Sequence, residues 1–315
     1  MILNRRHIRI KVMQVLFAFP DGESSDIKRL DNFLVKSFDA TYDLYLSMMS
    51  LFLELQKKAE DHQEKLRNKF TATKEEKNPN LKFVNNQVLG LMMSNEPLKN
   101  ALETHKINNW YLDFEYVDIL FKAIIESDLY VEFMKTKTSN FHEDKRFLAA
   151  IFQEIIAPND KLYEYFEDKN ITWLDDLPVV NTTILKVLNK VKPKSQERHF
   201  TPRLFKDADD KEFGQELLKT TILNQSSFSE EIASKTTNWD AERITRVDTI
   251  LMQMAICEFT RFPSIPVKVT LNEYLEIAKE YSTPKSSNFI NGILDKILKE
   301  YSKENKLNKI RRGLL

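Results

Sequence analysis

The stretch PVKVTLNEYLEIAKEYSTPKSSNFINGILDKIL, residues 266–298, decides the fold class of this chain. Apolar residues recur at three and four positions along 271–281 and again along 289–301. This is the period of a helix that buries one face. Pro266 stands just before the first repeat and Pro284 separates the two, as expected of helix boundaries. The stretch therefore predicts two consecutive amphipathic helices.

Two details of the second predicted helix carry further expectations. Ser286 or Ser287 is placed to cap its amino end. Gly292 lies in its middle, where glycine costs about 1 kcal/mol relative to alanine. We therefore expect another backbone or a ligand to approach Gly292 closely.

The scarcity of glycine extends the helical prediction to the whole chain. The 315 residues include five glycines, whereas average usage of about 7% would give roughly 22. No two of them lie within ten residues of each other, so the glycine-rich phosphate loops of Rossmann and Walker proteins are absent. We predict an all-α protein.

The amino-terminal stretch NRRHIRIKVMQVLFAF, residues 4–19, raises a question of charge. Its apolar residues predict a helix over about 3–19, ended by Pro20-Asp21-Gly22. Arg5, Arg6 and Arg9 would then lie at the amino end, where the helix dipole makes a cation unfavourable by a few tenths of a kcal/mol. A polyanion outside the helix is the simplest candidate to compensate this cost.

Any polyanion site must be local, because the chain is neutral overall. Lysine plus arginine and aspartate plus glutamate number 47 each. Basic residues collect at the amino terminus, in the tail 296–315 and in the segment KVKPKSQERHFTPR, residues 190–203. We interpret this last segment as a connector that contains two prolines, with RNA contact a less favoured alternative. A solvated helix end is the favoured interpretation of the tail.

The chain is expected to be a soluble, cytoplasmic protein. Cys257 is its single cysteine, which excludes an internal disulfide framework and suits a reducing compartment. No stretch approaches the roughly 18 apolar residues of a membrane span. The amino terminus lacks the features of a signal peptide.

No catalytic or metal-binding pattern is recognisable. The five histidines are far apart and share no ligand spacing with each other or with Cys257, which we expect to be a buried core thiol. The pairs Asp175/Asp176 and Asp209/Asp210 begin predicted helices, where favourable interaction with the helix dipole explains them better than acid–base chemistry. We predict no enzyme activity, no metal and no cofactor.

A weak internal repeat occupies the middle of the chain. Residues 141–188 align with 207–254 without a gap and share ten identities in 48 positions, Trp173 and Trp239 among them. A duplication explains these identities, although a shared helical-hairpin pattern could account for part of them. The segment 71–80 is interpreted as a linker or exposed loop.

Two segments resemble the NusB family of transcription antitermination factors. The first is the arginine-rich opening helix with its motif Gln14-Val15-Leu16-Phe17. The second is 266–298, which resembles the family pattern P-x-K-V-x-(apolar)-N-E, then E-(apolar)-A-K, then F-(apolar)-N-G-(apolar)-L-D-K. The resemblance covers about 1–35 and 204–300, under half the chain.

The resemblance implies an architecture for the chain. NusB proteins are all-helical bundles of two three-helix halves, here expected to be formed by residues 1–35 and 204–315. Residues 36–203 are then an all-helical insertion of about 170 residues. The repeat leaves open whether 141–188 or 207–254 occupies the family position.

The resemblance also implies a function. NusB proteins bind the single-stranded boxA element of nascent ribosomal RNA with ribosomal protein NusE and help RNA polymerase to resist termination. By position in the family motifs, the expected RNA-binding residues are Arg5, Arg6, Arg9, Lys285, Ser287, Asn288 and Phe289. Phe17 and Asp248 fall where the family meets its ribosomal partner.

Other interpretations of the same residues remain open. Phe17 and Phe289 both lie on apolar faces, so each is also a candidate core residue, and the three arginines could form a solvated helix end. Lys285 stands where the family commonly has an acid, and His7 where an arginine run might continue. The competing function is a helical protein-interaction adaptor with little RNA binding. The family's methyltransferase relatives need a glycine-rich domain and catalytic cysteines, which this chain lacks.

Overall fold

The computed structural model of the chain describes residues 1–19, 27–236, 244–307 and 309–310. Across these residues the chain forms sixteen α-helices and no strand. The predicted all-α class is confirmed. Pro20-Asp21-Gly22, Trp239 and the end of the basic tail lie outside the described residues.

The helices are numbered in chain order. They are α1 (Arg5–Ala18), α2 (Ile27–Arg67), α3 (Lys74–Lys77), α4 (Gln87–Met93), α5 (Glu96–Thr104), α6 (Asn109–Leu112), α7 (Phe114–Ile125), α8 (Asp128–Phe133), α9 (Phe141–Ile151), α10 (Asp160–Lys169), α11 (Trp173–Lys190), α12 (Ala208–Leu223), α13 (Gln225–Lys235), α14 (Arg246–Arg261), α15 (Val267–Tyr281) and α16 (Ser286–Lys303). A π-helical turn, Phe152–Ile156, continues α9, and a 3-10 turn, Glu197–Phe200, precedes α12.

The chain divides into two compact units. The first unit comprises Leu3–Phe38 and Phe205–Leu315, and the second comprises Asp39–Leu204. These boundaries lie within three residues of the limits expected for the insertion. The long helix α2 contributes its first turns, up to Phe38, to the first unit and the remainder to the second.

Helix α14 is the central helix of the first unit. It contacts α1, α12, α13, α15 and α16, and every residue from Ile250 to Phe259 is buried. A Thr245–Asp248 capping box begins it, and it ends at Arg261, two residues before Pro263. The last two helices follow as predicted, with Pro266 at the amino-terminal cap of α15.

One local expectation about α16 is wrong, and a second is wrong in part. Its cap position is Lys285, which makes no side-chain capping bond, while the Ser286 hydroxyl donates to Asp248 instead. Among the described residues nothing lies within 4 Å of a Cβ built on Gly292, so none of their backbone approaches that glycine. The approach of a ligand to Gly292 stays a prediction. The close approach occurs at Gly214 of α12, whose added Cβ would lie 2.8 Å from Ile8 Cγ2 and 3.1 Å from Phe38 Cζ.

The second unit has its own apolar core, built from helices α2 and α4 to α11. Its helices follow the internal repeat. Shifted by 66 residues, α9 with its π turn becomes 207–222 and α10 becomes 226–235, which overlap α12 and α13. The segment 71–80, expected to be a loop, contains the single-turn helix α3.

None of the described helices combines the length and the apolarity that crossing a membrane requires.

Candidate functional site

The amino end of α1 is fixed by a capping arrangement that involves a histidine. The Asn4 side chain accepts from the backbone N–H groups of Arg6 and His7, and His7 Nδ1 accepts from the Asn4 N–H at 3.2 Å. Burial lowers the pKa of His7, helped by the charges of Arg6 and Lys11. His7 is therefore held neutral, the form in which Nδ1 can accept a hydrogen bond.

Arg5 and Arg6 are partly exposed and each is held by an acid from a distant helix. Arg5 Nε donates to Asp210 Oδ1 at 2.9 Å, and Arg6 donates through Nε and Nη2 to both oxygens of Glu273 at 2.8 and 2.9 Å. The arginine side chains remain 41% and 40% exposed. The Arg6 hydrogen bonds keep the pKa of Glu273 below its ordinary value.

Arg9 differs from the other two arginines because it is buried. Its side chain is 2% exposed, and it donates to both oxygens of the equally buried Glu258 at 2.6 and 2.8 Å. Thr270 and Tyr274 also donate to Glu258, at 3.0 and 2.7 Å. Burial is the largest single influence and lowers the pKa of Arg9, but the charge and hydrogen bonds of Glu258, together with Tyr274 and Glu273, outweigh it and the pKa is raised overall. The Arg9 side chain is almost fully covered by these partners, so little of it is exposed for a direct contact with RNA.

These arginines line one concave surface of the first unit, which we call the arginine cleft. It has a volume of about 550 Å³ and is lined by Asn4, Arg5, Arg6, Arg9, Ser264, Ile265, Pro266, Val269 and Glu273. Donors from arginine and asparagine stand here beside the Glu273 carboxylate. Such a mixture matches the edge of a nucleobase, which itself carries donors and acceptors.

Acids within the chain compensate the arginines at the amino end of α1. Asp210 pairs with Arg5 and Glu258 with Arg9, while Glu273 pairs with Arg6 and also lies 3.9 Å from Arg9 Nη1. These acids offset the unfavourable placement of cations at a helix amino end. A polyanion is not required to stabilise the helix. Three arginines and three carboxylates leave the cluster with no net charge.

The predicted residues at the start of α16 do not line the arginine cleft. Lys285 and Asn288 are exposed, whereas Ser287 and Phe289 are intermediate. All four lie at the cap and first turn of the helix, whose amino end favours anions. The N–H of Phe289 already donates to the Lys285 carbonyl at 3.2 Å.

The two residues expected at the partner surface, Phe17 and Asp248, differ in their exposure. Phe17 is 47% exposed on α1, with the Arg246 guanidinium 4.9 Å from the centre of its ring. Arg246 also donates to the carbonyl of Leu16 at 3.0 Å. Asp248 is buried and accepts from Ser282 at 2.7 Å and from Ser286 at 3.0 Å, so it fixes the start of α16 and does not face outward.

Sequence reasoning missed the acids that hold the arginines. Asp210, Glu258 and Glu273 lie more than 200 residues from their partners, and a single sequence does not reveal such pairs. One signal was present for Glu258, which continues the apolar stripe of α14. A glutamate on a buried stripe indicates a buried cation.

The expected core cysteine is confirmed, since Cys257 is buried and burial raises its pKa to about 12. Asp176 and Asp210 both occur in first helical turns, as expected, but each also accepts a side-chain hydrogen bond from another helix. No group of three or more metal-ligating side chains is found in the part of the chain that the structure describes.

Comparison with known proteins identifies relatives of the chain. The sequence model of the NusB family matches residues 179–299. The transcription antitermination protein NusB of Salinibacter ruber is 38% identical over 112 residues, which span 36% of this chain and 70% of that protein. This chain belongs to the NusB family.

Two further NusB proteins match over shorter parts of their length. The protein named transcription antitermination protein NusB from Chloroherpeton thalassium is 39% identical over 109 residues, 35% of this chain and 52% of that protein. The protein of the same name from Methylacidiphilum infernorum is 39% identical over 94 residues, 30% of this chain and 66% of that protein. No match to a solved structure was found.

The NusB match covers only part of the candidate site. Glu258, Glu273 and the residues 285–289 lie within the matched stretch 179–299, whereas the arginines of α1 lie outside it. The match also begins within α11, at residue 179, which is 25 residues before the expected boundary at 204. Residues 1–35 therefore lie outside the family match, and their link to the NusB family rests on the motif resemblance.

Proposed function

We propose that this NusB-family protein is an RNA-binding transcription antitermination factor. It would act on the boxA-type single-stranded element of nascent ribosomal RNA together with ribosomal protein NusE and the elongating polymerase. The observation that carries the proposal is the family membership, combined with an arginine-lined cleft on the first unit. The relatives bear the name transcription antitermination protein.

Arg5 and Arg6 are the arginines proposed to contact RNA. Each keeps guanidinium N–H groups that are not used by its carboxylate partner, and each side chain is about two-fifths exposed. Asp210 and Glu273 hold the guanidinium planes in place before RNA arrives, which reduces the side-chain entropy lost on binding. Arg9 is proposed as a positioning residue, because it fixes α1 against Glu258 from the interior.

The start of α16 is proposed as a second part of the same RNA surface. The Lys285 ammonium and the Ser287 and Asn288 side chains stand beside a helix amino end, where a phosphate is favoured. Phe289 is proposed to stack on a base, as aromatic side chains do in single-stranded RNA complexes.

Phe17 is proposed as the contact with NusE, and Arg246 supports it. The large exposed ring and the guanidinium above it form an anchor of the kind that carries binding energy at protein interfaces. Asp248 is buried, so its proposed role is to position the start of α16.

A helical adaptor with little RNA binding is the second candidate function. The pairing of all three arginines inside the chain favours it, because a neutral cluster gains little from counterion release. The two functions differ in what the exposed arginines do. An adaptor would keep its activity when Arg5 and Arg6 are removed.

The test is fluorescence anisotropy of a labelled boxA RNA against a scrambled RNA of the same composition. It compares the wild-type chain with Arg5→Ala/Arg6→Ala, with and without NusE, at near-physiological salt. The matched control is Lys99→Ala/Lys161→Ala, which removes two exposed lysines of the second unit that pair with nearby glutamates.

The proposal expects the wild type to prefer boxA and to bind it more tightly with NusE. Arg5→Ala/Arg6→Ala should lose at least about tenfold in affinity for boxA, and the control should lose little, since base or phosphate contacts of arginine are worth about 1–3 kcal/mol. Equal weak binding to both RNAs, unchanged by NusE or by the substitutions, would reject RNA recognition and favour the adaptor.

A further inference from the structure

The segment 190–203, which we call the basic connector, contains five unpaired cations. Lys190, Lys192, Lys194, Arg198 and Arg203 are all exposed. Within the residues that the structure describes, none of these side chains forms a hydrogen bond or an ion pair. The arginines of α1, by contrast, are each neutralised by a carboxylate. The connector therefore carries the positive charge that the arginine cleft lacks.

The basic connector is held in place by contacts on its other side. Phe200 is buried, and its carbonyl accepts from the Tyr45 hydroxyl at 2.9 Å. The carbonyl of Glu197 accepts from the Asn95 side chain at 2.8 Å, and a ring nitrogen of His199 lies 2.9 Å from the Val187 carbonyl oxygen. These bonds fix residues 197–200, so a ligand would meet Arg198 on a backbone that is already ordered.

A cleft adjoins the connector within the second unit. Its volume is about 640 Å³, and its walls come from α2, α5 and the connector. Arg198, Arg203, Tyr42, His105 and Asn100 line it together with the acids Asp39 and Glu197. The His105 ring is held by Asp43, whose carboxylate lies 2.5 Å from Nδ1, and it packs edge-on against Tyr42.

We propose that the basic connector and this cleft form a second binding site for single-stranded RNA. The ligand class rests on the proposed function, and the site would lengthen the RNA that one chain can hold. The lysines and arginines would contact consecutive phosphates, and one nucleotide would enter the cleft beside Tyr42 and His105.

The mixed chemistry of the cleft favours a nucleotide over a bare phosphate. Asp39 and Glu197 would repel a free anion, but carboxylates accept from a ribose 2′-hydroxyl or from a base amino group. Arg198 and Arg203 supply the donors for the phosphates of the same nucleotide. An acidic peptide would not match those carboxylates, and a neutral one would leave the arginines unpaired.

The experiment compares two variants with the same change of charge. The connector variant is Lys192→Ala/Lys194→Ala/Arg198→Ala/Arg203→Ala. The control is Lys57→Ala/Lys99→Ala/Lys135→Ala/Lys161→Ala, which removes four lysines of the second unit that each pair with a glutamate three residues away. The probes are a boxA RNA and an oligouridylate, each about 16 nucleotides long. Affinity is measured over a range of salt.

The connector variant should bind both probes more weakly and show a shallower salt dependence. Each lost phosphate contact makes the negative slope of log K against log salt shallower by about 0.7. The loss of four contacts therefore predicts a slope that is shallower by roughly three. The preference for boxA over oligouridylate should remain, because it is assigned to the arginine cleft. Ultraviolet cross-linking of the oligouridylate should label the peptide containing 190–203 in the wild type.

Two results would overturn the second site and are distinguishable from failure of the proposed function. Tight boxA binding with the same salt slope in wild type and connector variant would reject this site alone. A parallel loss in the control variant would show that only overall charge matters. If neither probe binds to the wild type, both the second site and the RNA-binding function are rejected.

Discussion

Burial assigns the three arginines of α1 to two roles. Arg5 and Arg6 hold exposed ion pairs, which typically contribute about 0–1 kcal/mol to stability. Arg9 forms a buried pair with Glu258 that receives further bonds from Tyr274 and Thr270. Removing one member of such a pair leaves an uncompensated buried charge. At this scale, then, Arg9 is expected to act in stability, whereas Arg5 and Arg6 are the two arginines proposed to bind.

Replacing Arg9 with methionine should destabilise the first unit, so that it unfolds more often. We expect Arg9→Met to lose about 3–5 kcal/mol, the typical cost of breaking a buried pair. Cys257, the only cysteine and buried in the same unit, provides the readout through its rate of labelling by a thiol reagent. Labelling should accelerate at least about 100-fold.

The matched control for this change is Arg6→Met. It breaks an exposed pair, so labelling of Cys257 should accelerate by no more than about fivefold. The double variant Arg9→Met/Glu258→Gln should recover part of the loss, since it removes the unpaired charge as well. Equal labelling rates in Arg9→Met and Arg6→Met would contradict the assignment of roles.

His7 makes the stability of the first unit depend on pH. Its pKa is lowered from the ordinary value of 6.5, because burial and the neighbouring cations disfavour the charged ring. The unfolded chain therefore binds a proton at a higher pH than the folded chain does. The contribution of neutral His7 to the free energy of unfolding is present above about pH 6.5. It is lost as the pH falls through the lowered pKa of His7 in the folded chain.

His7→Gln isolates this effect, because glutamine can accept the same Asn4 N–H bond and does not titrate. The free energy of unfolding of wild type and variant should be measured from about pH 8 to about pH 5. Their difference should move in favour of His7→Gln on the acid side. A difference that stays constant across this range would mean that His7 does not titrate between the two states.

At the scale of elements, α14 connects the candidate surfaces. Near its start Asp248 fixes Ser282 and Ser286 at the beginning of α16, and near its end Glu258 receives Arg9 of α1. Helix α1 and the start of α16 therefore depend on one central helix. Its boundaries were predictable from the capping sequence and from Pro263. Its two buried acids were predictable only in part, because their partners are distant in the sequence.

Two glycines in helices are predicted to respond in opposite directions to alanine. Gly214→Ala places a Cβ against Ile8 and Phe38 in a tight helix contact, so we expect a net loss of about 1–2 kcal/mol. Gly292→Ala meets open space and should gain about 0.5–1 kcal/mol from helix propensity. Both residues belong to the first unit, so Cys257 labelling should report both changes. A loss of stability in both variants would contradict the open space found around Gly292.

These glycines also show a limit of prediction from sequence. The sequence drew attention to Gly292 because it lies in the middle of a predicted helix, yet the tight contact occurs at Gly214. Helix propensity penalises both residues alike, and only packing distinguishes them. The helices themselves follow from local patterns, whereas the contacts between them depend on where distant residues meet.

At the scale of the whole molecule, the second unit repeats the pattern of the first without its arginines. Asn86 caps α4 as Asn4 caps α1, and Asp144 accepts from the backbone of Gln87 at the start of α4. In the first unit, Asp210 of α12 accepts from Arg5 at the start of α1. An uncharged glutamine thus stands where the first unit has an arginine.

The two-unit architecture of the chain was partly predictable from its sequence. A long insertion and a helical class follow from the family motifs and from the scarcity of glycine. The cations of residues 190–203 are visible in the sequence, but it is not visible there that they form no ion pair with the described residues. That property depends on which acids fold next to them.

The central claim is that this chain acts in transcription antitermination through boxA RNA. The most direct measurement is in vitro transcription through a terminator that lies downstream of boxA, with purified elongation factors and NusE. Adding the chain should raise the fraction of full-length transcripts on the boxA template and leave a scrambled-boxA template unchanged. Arg5→Ala/Arg6→Ala should abolish the increase. The same read-through with and without the chain, or an increase that ignores the boxA sequence, would contradict the account.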